Sequence, residues 1–480
     1  MAQVEQRPAV PEPAAADRLH RGGARSRHGG RARLARPARR TDGRFRSDPD
    51  RAGVPSLSGG AAVLYLGHVC GATSGGGAGM NSVPPDLRDD GLGIVYFGND
   101  WYAENRTSSH HVARRLAGRT RLLYVDSPGM RAPSASGRDM KRLWRKLRQT
   151  FQRAKHVEPG LWHCTVPQLP WRRLPGVAAL NRWFGAWAVR RAMRQAGIRR
   201  AILWFVVPHP AFMLDALDRE LVVYYCIDDY AAHPGVDVAQ IAACDDRLTR
   251  DADLLFVAPP ALLPSKRAIK PDAFYAPHGV DVALFSRAQD DSTPVPAIAA
   301  ALARPVVGYF GLLAAWTDIE LMAWLAEQRP QWNFLLVGHA KVDVDVLAQL
   351  PNVVLAGPQP YESLPGWAKA FDVAIIPYRM NQQVRNSNPL KLREYLATGK
   401  PVVSVPAPEI ERFGGLIRVA EDRSSFLAAI EEALAGDPPQ QIQRRIAAVQ
   451  SMSWDARVDE TLTAVHEALR ARAASHEATG

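Results

Sequence analysis

From Gly93 onward, short apolar segments alternate with segments of helical length, and this alternation runs through the chain twice. Short buried strands that alternate with helices are typical of parallel sheets with crossover helices. In the first half the predicted strands are 94–97, 122–125, 201–207, 221–225 and 254–257. In the second half they are 306–310, 334–337, 353–355, 373–376 and 402–404. We therefore predict an α/β fold with two doubly wound, Rossmann-like domains, 91–290 and 303–450.

In such a pair of domains, ligands bind at the carboxyl ends of the strands, facing the cleft between the domains. No Gly-x-Gly-x-x-Gly follows the first strand, so a dinucleotide oxidoreductase is not predicted. The segment 290–305 is rich in Pro and Ala and is the predicted linker. A helix over 454–471 is predicted to pack back on the N-terminal domain.

The first 79 residues differ from the rest, with 13 Arg, no Lys and little periodicity. Such a segment cannot bury enough apolar surface to offset its chain entropy. Two interpretations are open: a disordered basic tail, or upstream sequence read from a start codon placed too early. We favour the second, because Met80 stands shortly before the first strand.

The four cysteines are scattered and form no Cys-x-x-Cys pair. This spacing predicts neither a disulfide framework nor a zinc site, and it fits a reducing cytoplasm. No apolar run of 18 residues occurs, so no membrane-spanning helix is predicted. We also expect no resident metal, because metal-ligating side chains do not cluster in the sequence.

Residues 386–404 read Asn-Ser-Asn-Pro-Leu-Lys-Leu-Arg-Glu-Tyr-Leu-Ala-Thr-Gly-Lys-Pro-Val-Val-Ser. This pattern predicts a polar loop, a short helix over 389–397, a glycine stop at Gly399 and a buried strand. Asn388 is the expected N-cap and Pro389 the expected first helical residue. Free amides and the Lys391 ammonium at one helix start can bind a phosphate or diphosphate. Glu394, one turn later, can accept hydrogen bonds from sugar or ribose hydroxyls. The alternative is an ordinary strand–helix corner whose Lys and Glu are solvated.

This segment resembles the donor site of retaining GT-B glycosyltransferases of family 4, in the branch of bacterial capsule, teichuronic-acid and exopolysaccharide enzymes. Glu394 matches the second of the two glutamates that hold the nucleotide-sugar there, and Asn386 stands where the first would be. Other parts of the chain also resemble this family, in the same order: 224–230, 277–281, 308–311 and 316–321. The usual basic residues between Gly311 and Glu320 are absent. The diphosphate charge would then fall mainly to Lys391, with Arg385 or Arg379.

The resemblance implies a site drawn from both domains. The expected catalytic residues are Asn386, Glu394, His209 and Asp229. The expected donor-binding residues are Lys391, Asn388, Ser387, Pro389, Leu390, Gly311 and Arg385. His209 follows a predicted strand and is expected near the cleft, although a structural role is the alternative. Asp228 and Asp229 are expected to orient an acceptor or a sugar hydroxyl, and the loop at Asn99 to approach the acceptor.

The segment 138–156, from Arg138 to His156, predicts an amphipathic helix with one apolar stripe. The other faces carry Lys141, Arg142, Arg145, Lys146, Arg148, Arg153 and Lys155. Such a helix suits the surface of an anionic membrane. The alternative is that its stripe packs on the domain core. A nucleic-acid partner is not predicted, because no binding module is present.

The resemblance therefore implies a metal-independent hexosyltransferase without a cofactor, whose donor substrate is a nucleotide-diphosphate sugar. The acceptor would be a cell-surface glycan or a lipid-linked precursor. The protein would act in the cytoplasm, peripherally on the inner face of the membrane. Two alternatives are open: a nucleotide-sugar epimerase of the same fold, and a non-catalytic GT-B-like scaffold protein.

Overall fold

The structure is a computed structural model of the 480-residue chain, and it describes residues 91–103, 105–126, 153–166 and 176–479. The segment 1–79 lies outside the described residues. Most of the predicted basic helix, 138–152, lies outside them as well.

The N-terminal domain is built on an eight-stranded sheet. Its strands are β1 (Leu92–Gly98), β2 (Arg121–Asp126), β3 (Lys155–Glu158), β4 (Leu161–Thr165), β5 (Arg200–Phe205), β6 (Leu221–Cys226), β7 (Leu254–Val257) and β8 (Phe274–Tyr275). Their order is β3-β4-β2-β1-β5-β6-β7-β8, and all neighbours are parallel except β3 and β4. The chain moves outward on both sides of β1, and ligands bind at such a switch point.

Helices cover both faces of this sheet. They are α1 (Ser108–Arg119), α2 (Val177–Gln195), α3 (Val238–Asp251) and α4 (Leu263–Ile269), with 3₁₀ turns at Ala211–Asp215, Tyr230–Ala232 and Pro260–Leu262. Because side chains alternate across a strand, Ile94 packs in the same core as α1, whereas Val95 packs in the core that includes α2. All seven residues of β1 are buried, as expected for a strand covered on both faces.

The C-terminal domain has a fully parallel six-stranded sheet. Its strands are β9 (Val306–Phe310), β10 (Asn333–Val337), β11 (Val353–Gly357), β12 (Val373–Ile376), β13 (Val402–Ser404) and β14 (Arg418–Val419). Their order is β11-β10-β9-β12-β13-β14. The helices between 282 and 450 are α5 (Val282–Phe285), α6 (Ala297–Ala300), α7 (Ile319–Gln328), α8 (Asp345–Ala348), α9 (Leu364–Lys369), α10 (Gln382–Arg385), α11 (Leu390–Ala397), α12 (Pro408–Glu411), α13 (Arg423–Leu434) and α14 (Pro439–Gln450), with 3₁₀ turns at Ser286–Gln289 and Tyr361–Ser363.

The last helix, α15 (Trp454–Thr479), belongs to the core of the N-terminal domain. Trp454, Val458, Leu462 and Val465 are buried in the cluster that contains Leu116 of α1. The chain therefore ties its two domains together by returning to the first one at its end.

The predicted fold class is confirmed, because both halves form doubly wound α/β domains with largely parallel sheets. The end of the predicted basic helix is wrong. Lys155 and His156 lie in β3, paired with His163 and Trp162 of β4. Pro159 and Gly160 form the turn between these strands, with Gly160 at φ +76°, and this hairpin overrides the helical spacing.

Candidate functional site

A cavity of about 690 Å³ lies between the two domains. Residues that follow the strands of both sheets line it: Asn99 after β1, Asp228 after β6, Gly311 after β9, Gly338 after β10 and Tyr378 after β12. The carboxyl edges of the two sheets therefore face one space, whose volume is typical of a small-molecule site. We call it the interdomain cavity.

The amino-terminal end of α11 faces this cavity, and all five residues from Ser387 to Lys391 line it. The predicted cap is wrong by one residue: Pro389 is the N-cap, with extended backbone and no side-chain cap. The first amides of α11 have no partner within the helix, as in any helix, so this end can accept an anion.

Asn388 instead fixes the loop in front of α11. Its Nδ2 donates to the carbonyl of Ala258 at 2.9 Å, and its Oδ1 accepts from Arg393 Nη1 at 2.5 Å. Arg393 in turn forms a fully buried ion pair with Glu409. The Asn388 amide therefore anchors the α11 loop to the N-terminal domain.

Lys391 lies in the cavity wall between two tyrosines. Its Nζ is 3.4 Å from the hydroxyl of Tyr378 and 5.4 Å from the ring centroid of Tyr309. Burial lowers the pKa of Lys391, but the two tyrosines and Glu394 outweigh it and raise the pKa above its ordinary value. The side chain is therefore a cation at neutral pH.

Gly311 makes room for this lysine. A Cβ built on Gly311 would lie 2.1 Å from Lys391 Cε, and its φ of +127° is one that side chains rarely adopt. Gly338 is needed beside it, because a Cβ there would lie 2.0 Å from the Gly311 carbonyl oxygen. These two glycines let the carboxyl ends of β9 and β10 approach each other and the lysine.

Glu394 lines the same cavity although only 7% of it is exposed. The hydroxyl of Tyr361 donates to its Oε1 at 3.2 Å. Burial raises the pKa of Glu394 to about 7, against the opposing effects of Lys391 and of this hydrogen bond. A carboxyl group with this pKa is readily converted to its charged form by new hydrogen-bond donors.

His278 also lines the cavity, and the sequence indicated it only as part of a turn. Its Nδ1 is 2.9 Å from the carbonyl oxygen of Asn388, which can only accept, so Nδ1 carries the proton. Burial, together with the charge of Arg393, lowers the pKa of His278 to about 3. Its Nε2 is therefore an acceptor, and it has no hydrogen-bond partner among the described residues.

Arg106 lines the cavity from the N-terminal domain and was missed in the sequence. Its Nη2 is 2.6 Å from Oε1 of Glu362, and its guanidinium lies 5.2 Å from the ring centroid of Tyr361. Thr107 and Ser108, at the start of α1, line the cavity beside it. The sequence signal for Arg106 was a basic residue that follows the first strand and stands just before the start of a helix.

The two adjacent aspartates, Asp228 and Asp229, make different contacts. Asp228 lines the cavity, and its Oδ2 is 2.9 Å from Nε2 of His233, which also lines it. Asp229 is not among the lining residues. Its Oδ2 accepts from Asn386 Nδ2 at 2.8 Å and from Gln382 Nε2 at 3.3 Å.

Four expected site residues are therefore not among those that line the cavity: Asn386, Asp229, His209 and Arg385. Asn386 and Asp229 bind each other across the domain junction. His209 is buried and lies between β5 and the Ala211–Asp215 turn. Arg385 is the exposed last residue of α10. Arg379 pairs with Asp318 and Glu320 on the surface.

Within 91–103, 105–126, 153–166 and 176–479, no group of three or more His, Cys, Asp or Glu side chains could hold a metal ion. In the same part of the chain, no helix is both long and apolar enough to cross a bilayer.

Two Rossmann-like domains facing one cleft, closed by a C-terminal helix that returns to the first domain, define a protein with the GT-B fold. Solved structures agree. Sucrose-phosphate synthase from Thermosynechococcus elongatus superimposes with a TM-score of 0.57 at 16% identity, covering 79% of this chain and 99% of its own. Anabaena HepE, in complex with UDP and glucose, gives 0.52 at 13% identity over 78% and 99%. These identities are low, so they establish the fold alone.

Sequence comparison finds a match within the C-terminal domain. Residues 296–436 match the family described as Glycosyl transferases group 1. The chain is also similar to the putative teichuronic acid biosynthesis glycosyltransferase TuaH of Bacillus subtilis (strain 168), at 27% identity over 232 residues. That similarity covers 44% of this chain and 57% of the relative, so the chain spans little more than half of the relative's length.

Proposed function

We propose that the protein is a glycosyltransferase that moves a hexose from a nucleotide-diphosphate sugar to a cell-surface glycan or lipid-linked acceptor. One observation carries this proposal. The start of α11, the Lys391 ammonium and the Glu394 carboxyl group meet in one cavity that both domains line. The match of residues 296–436 to group 1 glycosyltransferases supports the same conclusion.

The donor binds on the C-terminal side. Its diphosphate lies against the first amides of α11 and the Lys391 ammonium, which together offer hydrogen bonds and positive charge. Glu394 accepts hydrogen bonds from ribose or sugar hydroxyls, and these donors favour its charged form.

The acceptor enters from the N-terminal side, where Asp228, His233 and Arg106 line the cavity. His233 and Asp228 orient the attacking hydroxyl. Arg106 contacts a polar or anionic part of the acceptor. We assign the acceptor to this wall because the opposite wall of the cavity is formed by the residues that bind the donor.

Transfer breaks the bond between the anomeric carbon and the diphosphate oxygen, forms a bond from that carbon to the acceptor oxygen, and moves the proton of the acceptor hydroxyl to the leaving diphosphate. Negative charge then grows on the leaving diphosphate, where Lys391 and the α11 amides stabilise it. This arrangement needs no metal ion, and we propose a metal-independent reaction. Retention of the anomeric configuration is proposed from the family resemblance, and the anomeric proton of the product, followed by NMR, tests it.

We further propose that the protein acts in the cytoplasm, peripherally on the inner face of the cell membrane. A lipid-linked acceptor would be reached there. The support is the sequence of 138–156, which has the composition of an interfacial basic helix.

The test compares near-isosteric variants of the two donor residues with matched surface controls. Lys391→Met and Glu394→Gln are expected to lower transfer by about a hundredfold or more, because each removes a group that contacts the donor. Lys270→Met and Glu432→Gln remove charged groups that do not line the cavity and that pair with Asp272 and Arg418, and both variants are expected to retain wild-type transfer.

Binding is measured separately with a panel of nucleoside diphosphates and their sugars. A ligand that binds the folded state raises the melting temperature of the wild type, and this shift is expected to shrink in Lys391→Met. Wild-type transfer in Lys391→Met would contradict the proposed site. Donor turnover without any acceptor would indicate an epimerase, and binding without turnover would indicate a scaffold protein.

A further inference from the structure

An ion pair joins the two domains across the interdomain cavity. Nη2 of Arg106, in the loop before α1, is 2.6 Å from Oε1 of Glu362, in the turn between β11 and α9. Both residues line the cavity. The wall that belongs to the N-terminal domain therefore presents a guanidinium group, and this group holds a carboxylate of the protein itself.

The position of Arg106 indicates an anionic second substrate. Among the described residues that line the cavity, the lysines and arginines are Arg106 and Lys391. Lys391 lies on the C-terminal side, between Tyr309 and Tyr378, where we propose the donor diphosphate. Arg106 is then the cation left for the acceptor. A guanidinium binds a carboxylate or a phosphate through two parallel N–H bonds, so it favours an acceptor with one of these groups.

Tyr361 holds the guanidinium in place. Cζ of Arg106 lies 5.2 Å from the centroid of the Tyr361 ring, which packs at nearly a right angle on Phe285. The Tyr361 hydroxyl donates to Oε1 of Glu394 at 3.2 Å. These contacts do not involve the Glu362 carboxylate, so the guanidinium keeps its support when that carboxylate leaves. Arg106 and Glu394 contact the same tyrosine, so an anion on Arg106 lies close to the proposed donor.

Glu362 can leave Arg106 at little cost. Its side chain is 60% exposed and that of Arg106 is 36% exposed. Exposed ion pairs contribute little to the free energy of unfolding, because water solvates both partners well. Burial raises the pKa of Glu362, but a hydrogen bond from its own backbone and the charge of Arg106 outweigh it and hold the pKa below its ordinary value. Glu362 is therefore a carboxylate at neutral pH and competes with other anions for Arg106.

We propose that the acceptor carries a carboxylate or phosphate group that replaces Glu362 on Arg106. This inference rests on the proposed function, because it concerns the acceptor of that reaction. Glu362 is then a competitor built into the cavity wall, and it occupies Arg106 until an anionic acceptor takes its place. Polar side chains that line the cavity beside Arg106 can bind the acceptor hydroxyls, and they are Asn105, Thr107 and Ser108.

The experiment measures the dissociation constants of three sugars that differ only at the last carbon: glucose, glucuronate and glucose 6-phosphate. NMR titrations use the full-length protein at constant ionic strength, so that salt screens all three equally. The wild type is expected to bind at least one of the two anions about tenfold or more tightly than glucose, because hydrogen bonds to charged groups are the stronger ones. A preference for glucuronate indicates a carboxylate on the acceptor, and a preference for glucose 6-phosphate indicates a phosphate.

The two partners of the ion pair are predicted to have opposite effects. Glu362→Gln removes the competitor and is expected to tighten binding of the preferred anion by about two- to fivefold, with glucose unchanged. Arg106→Gln is expected to abolish the preference for the anion, again with glucose unchanged. Damage to the fold cannot produce the gain of binding expected for Glu362→Gln. The controls are Arg329→Gln and Glu431→Gln, which change the partners of an ion pair outside the cavity, and both are expected to bind like the wild type.

Several results would overturn the inference. One is equal binding of all three sugars by the wild type, or no binding of either anion. Another is unchanged or weaker anion binding in Glu362→Gln, which would mean that the ion pair only ties the domains together. A third is tighter binding of ADP, CDP, GDP or UDP by Glu362→Gln without tighter binding of the sugar anions, which would place Arg106 at the donor.

Failure of the proposed function looks different. The sugar anions are expected to bind Arg106 and not Lys391, so the opposite effects of Glu362→Gln and Arg106→Gln persist in a protein that transfers no sugar. If the inference about the acceptor fails while the donor site is correct, the nucleotide-induced rise in melting temperature still shrinks in Lys391→Met.

Discussion

Replacing Glu394 by Gln is expected to make the ligand-free protein more stable while abolishing its activity. Glu394 is nearly fully buried, and burial raises its pKa from the ordinary 4.5 to about 7. The charged carboxylate is thus costly to the folded protein at neutral pH. Glutamine has nearly the same shape and can still accept the hydrogen bond from Tyr361, but it carries no charge.

The magnitude follows from the shift. One pKa unit corresponds to about 1.4 kcal/mol, so the charged form costs the folded state about 3 kcal/mol. The folded-state pKa is above the unfolded-state value. The stability associated with this group is therefore complete below about pH 4.5 and is lost as the pH rises through about 7. The variant escapes this loss, so its advantage over the wild type should grow by about 2 kcal/mol between about pH 5.5 and about pH 8.

Urea unfolding of the ligand-free proteins at these two pH values measures the difference. Glu432→Gln, a change at an exposed carboxylate, should show no pH-dependent advantage. If Glu394→Gln gains nothing between the two pH values, the carboxyl group is not desolvated and the reasoning fails.

The same carboxyl group should make donor binding pH-dependent. Because the donor hydroxyls need the charged form, the apparent donor affinity of the wild type should fall as the pH drops below about 7. Titrations of the protein with donor at several pH values measure this affinity.

Three further substitutions test other parts of the site. Gly311→Ala should destabilise the protein by about 1–3 kcal/mol in urea unfolding, because its Cβ would meet Lys391 and its φ is unfavourable; unchanged stability would contradict the close approach. Asn386→Asp should weaken the contact with Asp229, now carboxylate against carboxylate, and enlarge the radius of gyration in X-ray scattering. The double variant Asn386→Asp/Asp229→Asn has an amide–carboxylate pair again, with the two roles exchanged, and should restore the wild-type radius of gyration. If the radius of the double variant stays enlarged, this contact does not hold the domains together. Arg106→Gln should raise the acceptor KM while leaving the donor-induced melting shift intact, and an equal loss of both would place Arg106 at the donor.

The central elements of both domains follow from the sequence, because β1, β6, β9 and β12 are uninterrupted apolar runs. The edge strands do not. β3 lies at the edge, has exposed residues and continues from a basic, helix-like segment, so its local pattern misleads. The two-residue strands β8 and β14 are fixed by pairing with a neighbour rather than by their own residues.

The position of the α11 segment in the cavity wall was predictable for a related reason. Ser387 to Glu394 are contiguous, so one loop and one helix turn bring them together, and local spacing describes their geometry. The roles of His278 and Arg106 depend on how two domains meet, and sequence spacing does not encode this. His209 is not among the lining residues, since following a strand does not by itself bring a side chain to the cavity wall.

Asn386 illustrates what the domain junction adds to the motif. Its amide donates 2.8 Å to Asp229, so a glutamate at this position would bring a second carboxylate against an existing one. An amide avoids that repulsion and supplies the missing donor. The neighbouring Asn388 amide makes a second contact with the N-terminal domain through Ala258. The loop that precedes α11 is thus held by two contacts with the N-terminal domain before any ligand arrives, which preorganises the helix start proposed to receive the diphosphate. Electrostatic stabilisation of a leaving group depends on such fixed dipoles and charges, so the asparagine at 386 is consistent with an active donor site that is ordered by domain contact.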